Sequence, residues 1–129
     1  MGEGRRGKIL VVDDDAGVRG YIEEVLSRAG FDVVTAVNGA DGMNRFRHER
    51  VDLAIVDMFM PEKDGVETLM EMRQHFNEAR ILAISGGGNL QMGNVLIWAR
   101  KLKANAVLEK PFTNEELLSA VEKVLAAPN

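Results

Sequence analysis

Three consecutive acids, Asp13, Asp14 and Asp15, a lone Asp57, Ser85 and Lys110 each stand at or close to the end of a short apolar run. Carboxylates gathered in one place repel one another, and burial sharpens the repulsion. A hard cation relieves it, and Mg²⁺ binds through one or two carboxylates together with waters and phosphate oxygens. An ionised aspartate is also a nucleophile toward phosphorus, giving an acyl phosphate. The group in transfer is stabilised by positioning and by positive charge near its equatorial oxygens. Lys110 and Mg²⁺ would supply that charge, while Ser85 and backbone N–H groups would donate hydrogen bonds. Taken singly, each residue has an ordinary explanation. Asp13 to Asp15 can cap a helix, and Asp15 is expected to do so; Asp57 can end a strand in a turn; Lys110 can be a solvated charge. Their joint occurrence at four strand ends favours phosphoryl transfer to a carboxylate.

Those residues need strands to carry them. Lys8–Val12, Val51–Val56 and Ala79–Ile84 are apolar runs of strand length that do not alternate cleanly, as expected of strands covered on both faces. Phe31–Ala36 and Ala104–Leu108 complete five expected strands. Between them run helical patterns. Val18, Ile22, Val25, Leu26 and Ala29 share one face, with Gly30 as the stop. Asn38–Glu49 points Met43 and Phe46 inward, and Gly65–Phe76 points Val66, Leu69, Met70 and Phe76 inward. Gln91–Lys103 makes a fourth helix with Trp98. The fifth has Thr113 as N-cap, Glu116 completing a capping box, and Leu117, Val121, Val124 and Leu125 as its stripe. Alternation of this kind implies a parallel sheet with right-handed crossovers and helices on both faces. Sites in such sheets lie outside the carboxyl ends of the strands, at the switch point of strand order.

A chain of 129 residues, 46% hydrophobic, is one domain with a core that needs no staple. The lack of cysteine excludes disulfides and zinc–thiolate sites. With net charge −4 and the basic run at Arg5, Arg6 and Lys8 read as a solvated tail, direct nucleic-acid binding is not expected. No apolar run approaches the roughly 18–20 residues that cross a bilayer, and Met1–Gly7 lacks a signal peptide's apolar stretch, so a cytoplasmic location is expected. His48 and His75 read as surface helix residues, the methionines and Trp98 as packing, and Gly86–Gly88 as a pliant connection rather than a Walker loop.

Val11-Val12-Asp13-Asp14, Asp52-Leu53 with Val56-Asp57, Met60-Pro61 through Asp64-Gly65, Ile84-Ser85-Gly86 and Lys110-Pro111-Phe112 together resemble the receiver domains of two-component response regulators, over about Lys8 to Leu125. The resemblance implies a flavodoxin-like (βα)5 fold of strand order 2-1-3-4-5, with a domain at 8–126 between tails at 1–7 and 127–129. It implies Asp57 as phosphoacceptor, and Asp13 and Asp14 as the acids for Mg²⁺, with Asp14, Asp57 and the Phe59 backbone carbonyl as direct ligands. Ser85 becomes the switch hydroxyl and Lys110 the phosphoryl-binding lysine, on a cis bond to Pro111. The implied donor is a phosphohistidine on a sensor histidine kinase or histidine phosphotransfer protein. The implied output is a downstream protein target met by the face of the fourth helix, fifth strand and fifth helix. Such a domain is no enzyme beyond its own phosphorylation and slow dephosphorylation, and it occurs alone or within a longer regulator.

Three positions depart from that pattern. Val107 stands where many receivers carry an aromatic switch residue, which shifts the expected readout to the segment between Ser85 and Lys103. Lys103 replaces a helix-ending glycine. Phe59 puts an apolar ring beside the site and is expected to slow hydrolysis. Competing readings are a haloacid-dehalogenase-type phosphatase with Asp13 as nucleophile and Asp15 as general acid, which lacks that family's threonine at Gly17; a flavodoxin-like cofactor carrier, whose phosphate three aspartates would repel; and a binding module that is never phosphorylated.

Overall fold

The computed structural model describes residues 6–58, 65–75, 79–85 and 104–127. The expected fourth helix with Trp98, together with Phe59, Gly86–Gly88 and Lys103, lies outside them. The elements are β1 (Lys8–Val12), α1 (Ala16–Arg28), β2 (Asp32–Ala36), α2 (Gly39–His48), β3 (Leu53–Asp57), α3 (Gly65–His75), β4 (Ile81–Ser85), β5 (Ala106–Glu109) and a last described helix, α4 (Asn114–Ala126). All strand pairs are parallel, in the order β2-β1-β3-β4-β5. The flavodoxin-like arrangement expected from the sequence is the one observed.

Side chains along a strand alternate between faces, and here both faces are core. Ile9, Val11, Leu53, Ile55, Leu82 and Ile84 pack with Ile22 and Leu26 of α1 and Leu117, Val121 and Val124 of α4. Leu10, Val12, Ala54, Val56, Ile81 and Ala83 pack on the other side with Met43 of α2 and Leu69 and Met72 of α3. This is why the three central strands read as continuous apolar runs. The outer strands β2 and β5 are mostly half-buried, and their patterns are correspondingly weaker.

Local chemistry fixes the helix ends next to the sheet. Asp15 caps α1, its carboxylate accepting from the N–H groups of Gly17 at 2.8 Å and Val18 at 3.2 Å. At the other end Gly30 takes φ 101°. Its N–H donates to Ser27 O at 3.1 Å, and the Phe31 N–H donates to Leu26 O at 3.1 Å. That pair of bonds is a Schellman ending, sealed by the buried contact side of Phe31 and Leu26. Because the Phe31 N–H closes the helix, β2 begins at Asp32 and not at Phe31. Similarly β5 begins at Ala106, not Ala104: the Asn105 side chain accepts the Ile81 N–H at 2.8 Å in place of a strand carbonyl. Thr113 and Glu116 form the expected capping box, with bonds of 2.8 and 3.0 Å.

Two expectations are corrected. Met70 is not inward but half exposed, at 50%. Among the described side chains of α3 the buried ones are Thr68, Leu69 and Met72, and at about 100° per residue Met70 falls on the flank away from that face; the expected inward Val66 and Phe76 lie outside the described side chains. Arg6 is not a solvated tail residue: its guanidinium sits 4.6 Å over the Phe31 ring and pairs with Glu122 at 2.7 Å. Lys8, within β1, pairs with Glu49 at 3.3 Å. These contacts are partly exposed and each contributes about 1 kcal/mol or less.

Helix α2 lies close against β1. A Cβ built on Gly42 would stand 2.8 Å from Cγ2 and 3.1 Å from Cγ1 of Val12, the residue before Asp13. Gly42→Ala is therefore expected to destabilise the domain by about 1–3 kcal/mol through overpacking. Gly20 of α1 has nothing within 4 Å of its built Cβ, and Gly20→Ala is expected to stabilise it by about 0.5–1 kcal/mol. Urea unfolding of both variants measures the two opposite signs.

Candidate functional site

The strand order reverses between β1 and β3: the chain leaves β1 outward to β2 and returns on the other side to β3. The register pairs Val12 with Val56, so the next residues on each strand, Asp13 and Asp57, are neighbours at the switch point. Both are buried, at 1% and 3% exposure. The sheet continues briefly past them. The Asp13 N–H donates to Ala36 O at 3.2 Å and the Met58 N–H to Ile84 O at 2.9 Å.

Carboxylate oxygens of Asp13, Asp14 and Asp57 all lie within 4.8 Å of one another. Asp14 is exposed, whereas the other two are not. Oδ1 of Asp13 accepts the Asp15 N–H at 2.9 Å; its Oδ2 is buried without a hydrogen-bond partner. Lys110 Nζ faces both buried acids, 3.5 Å from Asp13 Oδ2 and 3.4 Å from Asp57 Oδ2. These separations exceed the roughly 2.7–2.9 Å of a tight charge-assisted bond, so the ammonium is shared between the two carboxylates rather than committed to one. One lysine against three acids leaves the group net negative.

Ser85 is the last residue of β4, one position beyond Ile84, the register partner of Asp57. It is 1% exposed and its Oγ has no hydrogen-bond partner. Its backbone carbonyl accepts the Lys110 N–H at 2.9 Å, tying the serine and lysine strand ends together. The Lys110–Pro111 peptide bond is cis.

Five residues singled out from sequence, Asp13, Asp14, Asp57, Ser85 and Lys110, are thus gathered on one rim, while Phe59 lies outside the described residues. Asp15 is turned to its own helix as cap and does not face the others, which removes the general acid that the phosphatase reading needs. His48 and His75 are exposed; His48 Nδ1 lies 2.7 Å from Asn44 O within its own helix. Sequence reasoning missed Arg19, whose Nη1 donates to the Asp13 backbone carbonyl at 2.7 Å. A signal was present: a cation in the first turns of a helix opposes the helix dipole, so its placement has to answer to something else.

The acids themselves make an all-oxygen donor set suited to a hard divalent cation. A buried carboxylate oxygen without a hydrogen-bond partner fits such an ion, since an unsatisfied anionic atom in the interior is costly. Paired with an orphan hydroxyl and a shared ammonium, the site can also surround a small tetrahedral anion.

The family model of the response regulator receiver domain matches residues 9–122. Chemotaxis protein CheY of Bacillus subtilis (strain 168) is 37% identical over 119 residues, covering 92% of this chain and 97% of that protein. Sporulation initiation phosphotransferase F of the same organism is 34% identical, over 92% and 93% of the two chains. The crystal structure of a putative response regulator from Chloroflexus aurantiacus J-10-fl superposes with a TM-score of 0.86 at 31% identity, over 94% and 98%. Further curated relatives are longer, and the chain spans about half their length, 49% of each. Fold, rim and relatives agree: the chain belongs to the response regulator receiver domain family of two-component signalling.

Proposed function

We propose that this receiver domain accepts a phosphoryl group on Asp57 from a phosphohistidine and thereby changes the surface it offers to a protein target. The observation that carries the reading is Asp57 itself. It ends a central strand, is nearly inaccessible, and lies beside two further acids and one ammonium. Asp57 oxygen attacks phosphorus as the P–N bond to the donor imidazole breaks; the ring nitrogen keeps the electron pair and takes up a proton. Lys110, shared between two carboxylates at rest, has its charge available for a phosphoryl oxygen, and the Ser85 hydroxyl for another. Asp13, Asp14 and Asp57, with the Phe59 carbonyl, would hold Mg²⁺. When bound, that ion offsets the negative charge of the acids and of the transferring group.

The donor is a sensor histidine kinase or a histidine phosphotransfer protein, and the work takes place in the cytoplasm. No helix among the described residues is long and apolar enough to cross a membrane, and the acidic balance, pI about 5.2, disfavours direct contact with nucleic acid. Output goes to a protein target through the face of β5, α4 and the segment preceding β5. The domain acts as a signalling module: its chemistry is confined to taking up its own phosphoryl group and slowly losing it.

Two outcomes are expected. Intact mass after incubation with acetyl phosphate and MgCl₂ rises by one phosphoryl group in the wild type and not in Asp57→Ala. Absence of the gain with both acetyl phosphate and a phosphohistidine donor would sink the reading in favour of a module that is never phosphorylated. In metal-free buffer, Asp57→Asn is more stable than the wild type by about 1 kcal/mol or more, because it relieves like-charge repulsion at a buried site. Adding MgCl₂ narrows that gap by stabilising the wild type. Thermal melts with and without the salt give both quantities.

A further inference from the structure

We infer that Arg19 is a positioning residue for the acidic site: its guanidinium fixes the peptide that carries Asp14 and so sets how tightly the acids hold a divalent cation. The inference rests on the metal-binding reading above and deepens it. Arg19 lies in the opening turns of α1, four residues after the cap Asp15. Among the described residues the arginine forms no ion pair with Glu23, four residues on along its helix, or with the cap Asp15, four residues back. Its Nη1 instead donates to the carbonyl of Asp13 at 2.7 Å, short for an N–H···O bond.

That carbonyl belongs to the peptide joining Asp13 to Asp14. The rest of Asp13 is already held: its N–H donates to Ala36 O at 3.2 Å and its Oδ1 accepts the Asp15 N–H at 2.9 Å. With the carbonyl also gripped, rotating the peptide plane would break the 2.7 Å bond, which restrains the direction in which the Asp14 side chain leaves the backbone. Among the described residues the Asp14 side chain is otherwise unrestrained. It is exposed, and among the described residues its carboxylate has no hydrogen-bond partner. Among the described residues it is the backbone that turns this acid toward Asp13 and Asp57, and Arg19 is the one side chain that grips the carbonyl of that peptide.

A second role can be separated by sign. If Arg19 were merely a cation near the acids, its charge would oppose a second cation, and removing it would tighten Mg²⁺ binding. As a positioning residue its removal loosens binding, in the range of about 10-fold to 100-fold found for groups that orient metal ligands.

The experiment is calorimetric titration of MgCl₂ into the wild type, Arg19→Ala, Arg19→Gln and Arg19→Lys. A Kd about 10-fold weaker is expected for Arg19→Ala, with most of the affinity kept by Arg19→Gln and Arg19→Lys, which can still donate to the Asp13 carbonyl. The backbone amide resonance of Asp14 should move in metal-free Arg19→Ala. With acetyl phosphate as donor, the MgCl₂ concentration for half-maximal phosphorylation should rise while the rate at saturating MgCl₂ is largely retained. If Arg19→Ala fails to fold, Arg19→Met keeps the aliphatic stem and reads the same quantity. Affinity equal to or tighter than wild type in the alanine or methionine variant overturns the inference and leaves the metal site standing. Failure of the wild type itself to bind MgCl₂ overturns both, so the two failures are told apart.

Discussion

Two carboxylates buried side by side repel one another, and the register of β1 against β3 leaves them no room to separate. Val12 faces Val56, so Asp13 and Asp57 follow as neighbours wherever the sheet forms at all. At separations up to 4.8 Å, the repulsion between two such charges is roughly 3 kcal/mol at an effective dielectric near 20. Lys110 offsets part of this by lying between them, and its place is secured from another direction, through its N–H on the Ser85 carbonyl. The resting site is therefore a set of charges held together by the sheet rather than by their attraction. Its acids stand close enough together that a hard cation among them would relieve their repulsion.

The remainder of the fold supplies the rigidity this requires. Strands β1, β3 and β4 are buried along almost their whole length, and each face of the sheet has its own apolar cluster. A strain placed at the carboxyl rim is thus opposed by packing on both sides. The connections are tight for the same reason. Asp15 starts α1 immediately after the acid pair, Gly30 ends it in one step, and α2 approaches β1 closely enough that only glycine fits at Gly42. Stabilising contacts far from the rim, such as Arg80 donating to the terminal carbonyls Val124 and Leu125 of α4, anchor the opposite end of the sheet.

Much of this was legible in the sequence because the informative signals are local. Covered parallel strands read as unbroken apolar runs, the caps at Asp15 and Thr113 and the stop at Gly30 are short-range chemistry, and a doubly wound sheet dictates that function gathers at strand ends. Asp13, Asp14, Asp57, Ser85 and Lys110 all follow from that one rule. Features that depend on distant partners were not legible. Arg6 looked like part of a solvated basic run because Phe31 and Glu122 are remote in sequence. Met70 was placed inward because α3 carries apolar residues on more than one flank, and the sheet selects Leu69 and Met72. For Arg19 the sequence carries only the unfavourable placement of a cation near a helix start, which does not name its partner, the Asp13 carbonyl.

Val107 stands where an aromatic switch residue is expected, and the expected readout through the segment between Ser85 and Lys103 lies outside the described residues. Val107 packs against the α2–α3 side of the core, while Ala106 and Leu108 pack against the α1–α4 side, so β5 is clamped from both faces. The hydrogen bond from the Lys110 N–H to the Ser85 carbonyl joins the ends of β4 and β5, just where the two groups suited to a phosphoryl oxygen reside. The two strand ends are thereby one hydrogen-bonded unit, whatever side chain stands at position 107. Val107 leaves that link intact, because the bond runs from backbone to backbone and Ser85 and Lys110 stand at the ends of neighbouring strands of one hydrogen-bonded ladder.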